Sequence, residues 1–185
     1  NSIIKLKQIR DQYSNVKIIN FNKNFGQASA ICAGLKESQA KYYIITSADL
    51  QDPPEIIPKL IEKWEQGNDV VHTVRTKRKG ENFFRMFLVK IAYKLIDGLS
   101  DIKILHNSGN FKLISRKALQ AILMLEDHDP FLRGLSAWVG FNQTKVFYER
   151  NARFGGATHF SLLKSTGLYK DLIRGITTFS TIPLY

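Results

Sequence analysis

The chain reads as an α/β domain with a parallel or mostly parallel sheet flanked by helices. Three observations predict this. Strand-like and helix-like segments alternate through the first half of the 185 residues. The apolar run Tyr42-Tyr43-Ile44-Ile45-Thr46 leads straight into an acidic loop and then an amphipathic segment, which is a strand, a loop and a helix in succession. A content of 44% hydrophobic and 23% charged residues gives a chain of this length material for one real core.

Taken in order, the pattern predicts a helix over Ile3 to Tyr13 and a strand over Val16 to Phe21. An Ala-rich helix over Gln27 to Ser38 comes before the strand Tyr42 to Ser47. The adjacent Pro53 and Pro54 hold the exit from that strand extended, and Pro54 to Gln66 follows as a helix. Gly67-Asn68 stops it, and Asp69 to Arg75 is the next strand. Asn82 to Leu99 reads as a helix, Phe111 to Ile114 as a short strand and Arg116 to Leu125 as a helix. Phe131 to Val139 is helical in pattern, Gln143 to Glu149 alternates like a strand, residues 150–160 are a polar loop and Leu162 to Ile176 is helical. No internal repeat, low-complexity tract or linker interrupts the series.

The formal charge of +11 points to an anionic partner: nucleic acid, an anionic membrane or a phosphorylated substrate. The plainer alternative is a solvated basic surface. No zinc-finger spacing, basic heptad region or RNP-type aromatic motif accompanies the charge, so nucleic acid is set aside. The single cysteine, Cys32, excludes an internal disulfide and lies in an apolar helical stretch, where a buried structural thiol is expected. The four histidines lack metal-ligand spacing, and there is neither a signal peptide nor an apolar run near the roughly 20 residues that cross a bilayer. The chain opens at Asn1, within a helical pattern, and reads as a fragment.

Chemistry concentrates in Ser47-Ala48-Asp49-Leu50-Gln51-Asp52-Pro53-Pro54-Glu55. Ligands of open α/β sheets bind at the carboxyl ends of strands, where this loop falls. A short, stiff acidic loop there can hold a divalent cation and, through it, a diphosphate. Along an extended chain, residues two apart share a side and residues three apart do not. That favours Asp49 with Gln51 as ligands over Asp49 with Asp52. The plainer reading of Asp52 and Glu55 is capping and dipole complementation at a helix N-terminus.

These segments, in this order, resemble the family-2 glycosyltransferases of GT-A fold, and within them the polyprenyl-phosphate subgroup that includes dolichol-phosphate mannose synthases and undecaprenyl-phosphate glycosyltransferases. Asn24-Phe25-Gly26-Gln27 with Ala30 and Gly34 is similar to the N-x-G-x-x-x-A segment. Asp49 through Glu55 is nearly the subgroup signature. Asp69-Val70-Val71 with Arg75 and Arg78 resembles the following strand and basic loop. Gly109-Asn110-Phe111-Lys112-Leu113-Ile114-Ser115-Arg116 is similar to the acceptor-side motif G-D-F-R-L-x-S-R. Phe131-Leu132-Arg133-Gly134-Leu135 and Tyr148-Glu149-Arg150 with Arg153 and Gly156 complete the likeness, which covers most of the chain.

The resemblance implies a metal-dependent transferase that moves a sugar from a UDP- or GDP-linked donor to a polyprenyl phosphate, with inversion. It implies Mg²⁺ or Mn²⁺ on Asp49 and Gln51, a donor site including Asn24, Gln27, Ser47 and Asp49, and catalytic roles for Asp49 and Asn110. Acceptor-phosphate contacts are expected from Arg75, Arg78, Arg85, Arg133, Arg150 and Arg153, because guanidinium suits phosphate. Three departures stand out: Ser47 replaces an acidic residue of the metal site, Asn110 replaces the acid of the acceptor motif, and Gly156-Ala157-Thr158-His159 replaces G-x-S-K. Asn110 would be a grave loss for an alcohol acceptor but tolerable for a phosphate, which is already largely dianionic at neutral pH. A non-catalytic relative that binds nucleotide or lipid phosphate is the competing expectation. The family's first strand is expected upstream of Asn1 and two membrane helices beyond Tyr185. The segments 82–99 and 162–176 mix apolar and basic residues, fitting either a core face or an interfacial position at the cytoplasmic side of an anionic membrane. A homo-oligomer is left open.

Overall fold

The computed structural model describes residues 2–76, 108–125 and 132–149. Two compact units divide the chain after Ser38. The first holds α1 (Ser2–Gln12) and α2 (Gln27–Lys36). Residues 16–21, expected as a strand, are irregular and mostly exposed. A strand exists only through a neighbour that takes its N–H and C=O groups, and this segment pairs with none among the described residues. Cys32 is half-buried rather than buried in α2, whose one buried residue is Leu35.

The second unit carries the sheet: β1 (Tyr42–Ile45), β2 (Val70–Arg75), β3 (Ser108–Ser115) and β4 (Gln143–Tyr148). Their spatial order is β1-β3-β2-β4. β3 lies antiparallel to both β1 and β2, and β2 pairs in parallel with β4. Three strands therefore run one way and β3 runs against them. The α/β class and the shared direction of most strands hold. What the apolar pattern could not reveal is the reversed strand between β1 and β2, because alternation encodes a face and not a direction.

A 3-10 turn, Pro54–Ile56, leads into α3 (Ile57–Glu65), and the proline ring fixes φ at this start, where no partner for its missing N–H is needed. The helix ends in a Schellman arrangement: the Gly67 N–H donates to Trp64 O (2.9 Å) and the Asn68 N–H to Lys63 O (3.3 Å). Gly67 supplies the left-handed φ of 92° that this needs. α4 (Arg116–Leu123) starts at Ser115, whose hydroxyl accepts the Ala118 N–H (3.3 Å) and donates to Asp69 (3.0 Å). α5 (Leu132–Trp138) follows it in sequence among the described residues.

The two faces of the sheet are packed differently. Leu60 of α3 is fully buried against Val71, Phe111, Leu113, Val146 and Tyr148, with Ile57, Ile61 and Trp64 around them. Each such aliphatic side chain contributes roughly 1.5–3 kcal/mol on burial. The opposite face carries α5, reached by the Lys112 ammonium, which donates to Ser136 Oγ at 2.6 Å. The α3 face is thus mostly apolar, while the other buries Lys112 and His72 alongside Val70 and Ile114.

Candidate active site

The site forms where the sheet's strands end. β1 runs out toward Ser47 and Asp49, β2 ends at Arg75, β4 ends at Tyr148, and antiparallel β3 begins at Ser108. The β1–β3 register pairs Ile45 with Lys112. Two further steps in that register would set Ser47 opposite Asn110. The two positions where the resemblance expects carboxylates thus lie just past the end of β1 and near the start of β3. The β2–β3 register shifts between His72 and Val74, so simple alternation does not run through Gly109 to Phe111; Gly109 is located instead by the Arg75 guanidinium that lies over it.

The acidic loop is not extended. Leu50 adopts a left-handed φ of 56°, and the Asp49 carboxylate accepts the Gln51 N–H at 3.2 Å. This is a local turn of the kind aspartate favours. The argument from an extended chain for pairing Asp49 with Gln51 loses its basis, since the turn sets these side chains. Asp52 separates from them for a different reason. It is buried, and its carboxylate accepts the Tyr148 hydroxyl at 2.8 Å. Helix capping by Asp52 is therefore corrected: the residue at the cap is Pro53, with no side-chain bond, and Asp52 fastens the loop to β4. Glu55 lies exposed in the first turn.

The Tyr148 hydroxyl also accepts the Arg75 Nε–H at 3.2 Å. Its ring packs edge-on to Phe111, with centroids 5.7 Å apart. Burial, first, and the Asp52 carboxylate push the phenol pKa up, with Arg75 opposing, so the hydroxyl stays protonated and can donate. Arg75 also lies over Gly109: a β-carbon there would come within 2.6 Å of its Nη2. The sequence had offered Arg75 as an acceptor-phosphate contact; the structure places it in this hydrogen-bonded row.

The other expected residues are distributed as follows. Arg133 lies on α5, close enough to Lys112 for its charge to oppose protonation there. Burial is the larger cause, and together they bring the Lys112 pKa down to about 7. His72, paired in register with Lys112, is held down to about 4 by burial and then by the Lys112 charge. In the first unit, the Asn24 side chain accepts the Gly26 N–H at 2.9 Å and Gln27 opens α2. Arg78, Arg85, Arg150 and Arg153, the loop at 156–159 and both amphipathic segments lie outside the described residues.

Sequence reasoning missed the roles of Tyr148, Asp52 and Lys112. A signal existed for Tyr148: alternation along Gln143 to Glu149 turns it inward with Val146, and a buried phenol needs a partner for its hydroxyl. Lys112 stands between Phe111 and Leu113 in a strand paired on both sides, so its burial was also readable.

Among the described residues no three His, Cys, Asp or Glu side chains gather as a metal cage. The donors at this edge, one carboxylate and one amide, suit a hard cation that keeps waters and takes further oxygens from a diphosphate.

The described geometry is a mixed sheet flanked by helices, with an acidic turn, Arg75 and the start of β3 near one edge. The chain belongs to glycosyl transferase family 2, whose model matches residues 1–123. It is 47% identical over 169 residues to the uncharacterized glycosyltransferase YkcC of Bacillus subtilis, covering 91% of this chain and 51% of that protein. It is 36% identical over 182 residues to the putative glycosyltransferase CsbB of the same organism, covering 97% and 54%. It is 37% identical over 166 residues to the bactoprenol glucosyl transferase of Shigella phage SfX, covering 90% and 53%. The chain spans about half the length of the curated relatives it matches. The fold is accordingly GT-A, and the likeness to the polyprenyl-phosphate subgroup holds.

Proposed function

We propose that the protein transfers a sugar from a UDP- or GDP-linked donor to a polyprenyl phosphate at a membrane surface, with inversion at the anomeric carbon. One observation carries this reading: the Asp49 turn, Arg75 and the Asn110 strand converge at one sheet edge in a family-2 glycosyl transferase whose relatives include a bactoprenol glucosyl transferase. Asp49, with the Gln51 amide, would hold Mg²⁺ or Mn²⁺, which supplies neutralisation of the leaving diphosphate. A phosphate oxygen of the acceptor attacks the anomeric carbon, the bond from that carbon to the diphosphate oxygen breaks, and the nucleoside diphosphate leaves. The nucleophile brings no proton to remove, so Asn110 serves by donating a hydrogen bond that orients it. Arginines counter the charge of two anions brought together, and a net charge of +11 supports work at an anionic bilayer. No helix among the described residues is long and apolar enough to cross a membrane.

The test incubates the full-length protein with labelled nucleotide-sugars, Mg²⁺ or Mn²⁺ and a short polyprenyl phosphate. Lipid-linked sugar is expected, and Asp49→Ala abolishes it. No product from any donor overturns the reading. Ser47 and Asn110 favour a second one, a relative that binds nucleotide or lipid phosphate without transfer. Calorimetric binding with no turnover, and gain of metal affinity in Ser47→Asp with Asn110→Asp, would select it.

A further inference from the structure

The row Asp52, Tyr148, Arg75 and Gly109 connects the loop after β1 with the start of β3, through the ends of β4 and β2. We infer that Tyr148 is a positioning residue: its hydroxyl sets the acidic turn at a fixed place relative to the acceptor strand, through Asp52 on one side and Arg75 on the other. The inference rests on the reading of these two segments as donor and acceptor sides.

Four features support it. Asp52 is a carboxylate with 4% of its surface exposed and bonded to Tyr148, so the attachment is internal and not a surface pair. Pro53 and Pro54 follow directly, which leaves little backbone freedom for the loop to pivot once Asp52 is held. The Tyr148 ring is itself fixed, packed on Phe111 inside the α3 core. Gly109, whose φ is not left-handed, would bring an added methyl first against the Arg75 guanidinium, with the Phe111 backbone nitrogen farther off at 3.8 Å. Its lack of a side chain therefore leaves room for Arg75 over Gly109, the residue next to Asn110 in the chain. A hydrogen-bonded chain between two halves of a site matters because a shift of about 1 Å in reacting groups can cost on the order of a hundredfold in rate.

Two substitutions enter this chain at different points. Tyr148→Phe keeps the ring in the core and removes the hydroxyl. Gly109→Ala removes no hydrogen-bonding group but displaces the guanidinium. Both are measured in the full-length protein by three readouts: amide hydrogen exchange of residues 47–52, affinity for nucleoside diphosphate with Mn²⁺ by calorimetry, and steady-state transfer. The expected result for Tyr148→Phe is faster exchange in that loop with unchanged exchange in β3, and kcat lower by about tenfold or more with a smaller change in the KM for polyprenyl phosphate. Gly109→Ala shifts in the same direction but less. Asp52→Asn, which retains an acceptor oxygen, stays near wild type, whereas Asp52→Ala matches Tyr148→Phe and adds little to it in the double variant. Wild-type loop exchange and kcat in both Tyr148→Phe and Gly109→Ala would overturn the inference. A wild-type protein that transfers no sugar overturns the proposed function instead, and the loop-exchange comparison still decides the positioning role.

Discussion

His72 is expected to make the protein lose stability as the medium turns acidic, and the structure supplies both the size and the sign. The side chain is 1% exposed on β2. Gln143 donates its amide N–H to Ala137 O at 3.0 Å, which leaves its oxygen facing the ring at 2.9 Å. His72 Nε2 must therefore carry the hydrogen, and Nδ1 is a bare acceptor, buried with no partner. Adding a proton at Nδ1 would create a buried donor with nothing to receive it, beside the Lys112 ammonium and with Arg133 nearby on α5. The folded-state pKa falls to about 4 from an ordinary 6.5. The unfolded chain thus binds the proton first as pH drops, so the contribution is whole above 6.5 and is lost as pH falls through that value toward 4. At about 1.4 kcal/mol per pH unit, the loss across this window is roughly 3 kcal/mol. Denaturant unfolding at intervals from pH 7.5 to 4.5, for wild type and for His72→Asn, isolates it, because the carboxylates titrate alike in both. The wild type should lose stability more steeply than the variant between pH 6.5 and 4.5. Equal slopes would refute the buried neutral imidazole.

Two other outcomes follow from the same layer and from a helix end. The Lys112 pKa, down to about 7 in the folded protein, lies below the ordinary 10.5, so stability should climb as pH rises from about 7 toward 10.5, and Lys112→Met should flatten that climb in unfolding measurements at alkaline pH. Gly67→Ala should cost about 1 kcal/mol in thermal unfolding, since a β-carbon meets no neighbour there and only the φ of 92° opposes it.

Much of this fold was readable because period and punctuation are local properties. The apolar run at 42–45, the prolines at 53 and 54 and the Gly67 stop each act within a few residues, and β1, α3 and the start of β2 fall where they predict. The ordered motifs named the family, and the acidic loop marked the edge where the strands end. Residues 16–21 failed for the complementary reason: a strand-like sequence states a propensity, while pairing requires a partner.

The sequence by itself determined which residue types are available at the sheet's edge: a carboxylate at 49, an amide at 110, arginine at 75, and the absence of acids at 47 and 110. Only the tertiary structure decided their employment. Asp52 and Tyr148 are 96 residues apart in the chain and 2.8 Å apart in space, and Lys112 meets Ser136 and His72 only because β3 runs reversed beside β2 beneath α5. Hydrogen bonding and charge act over a few ångströms, so a side chain's task is set by which distant segments the sheet register brings to it.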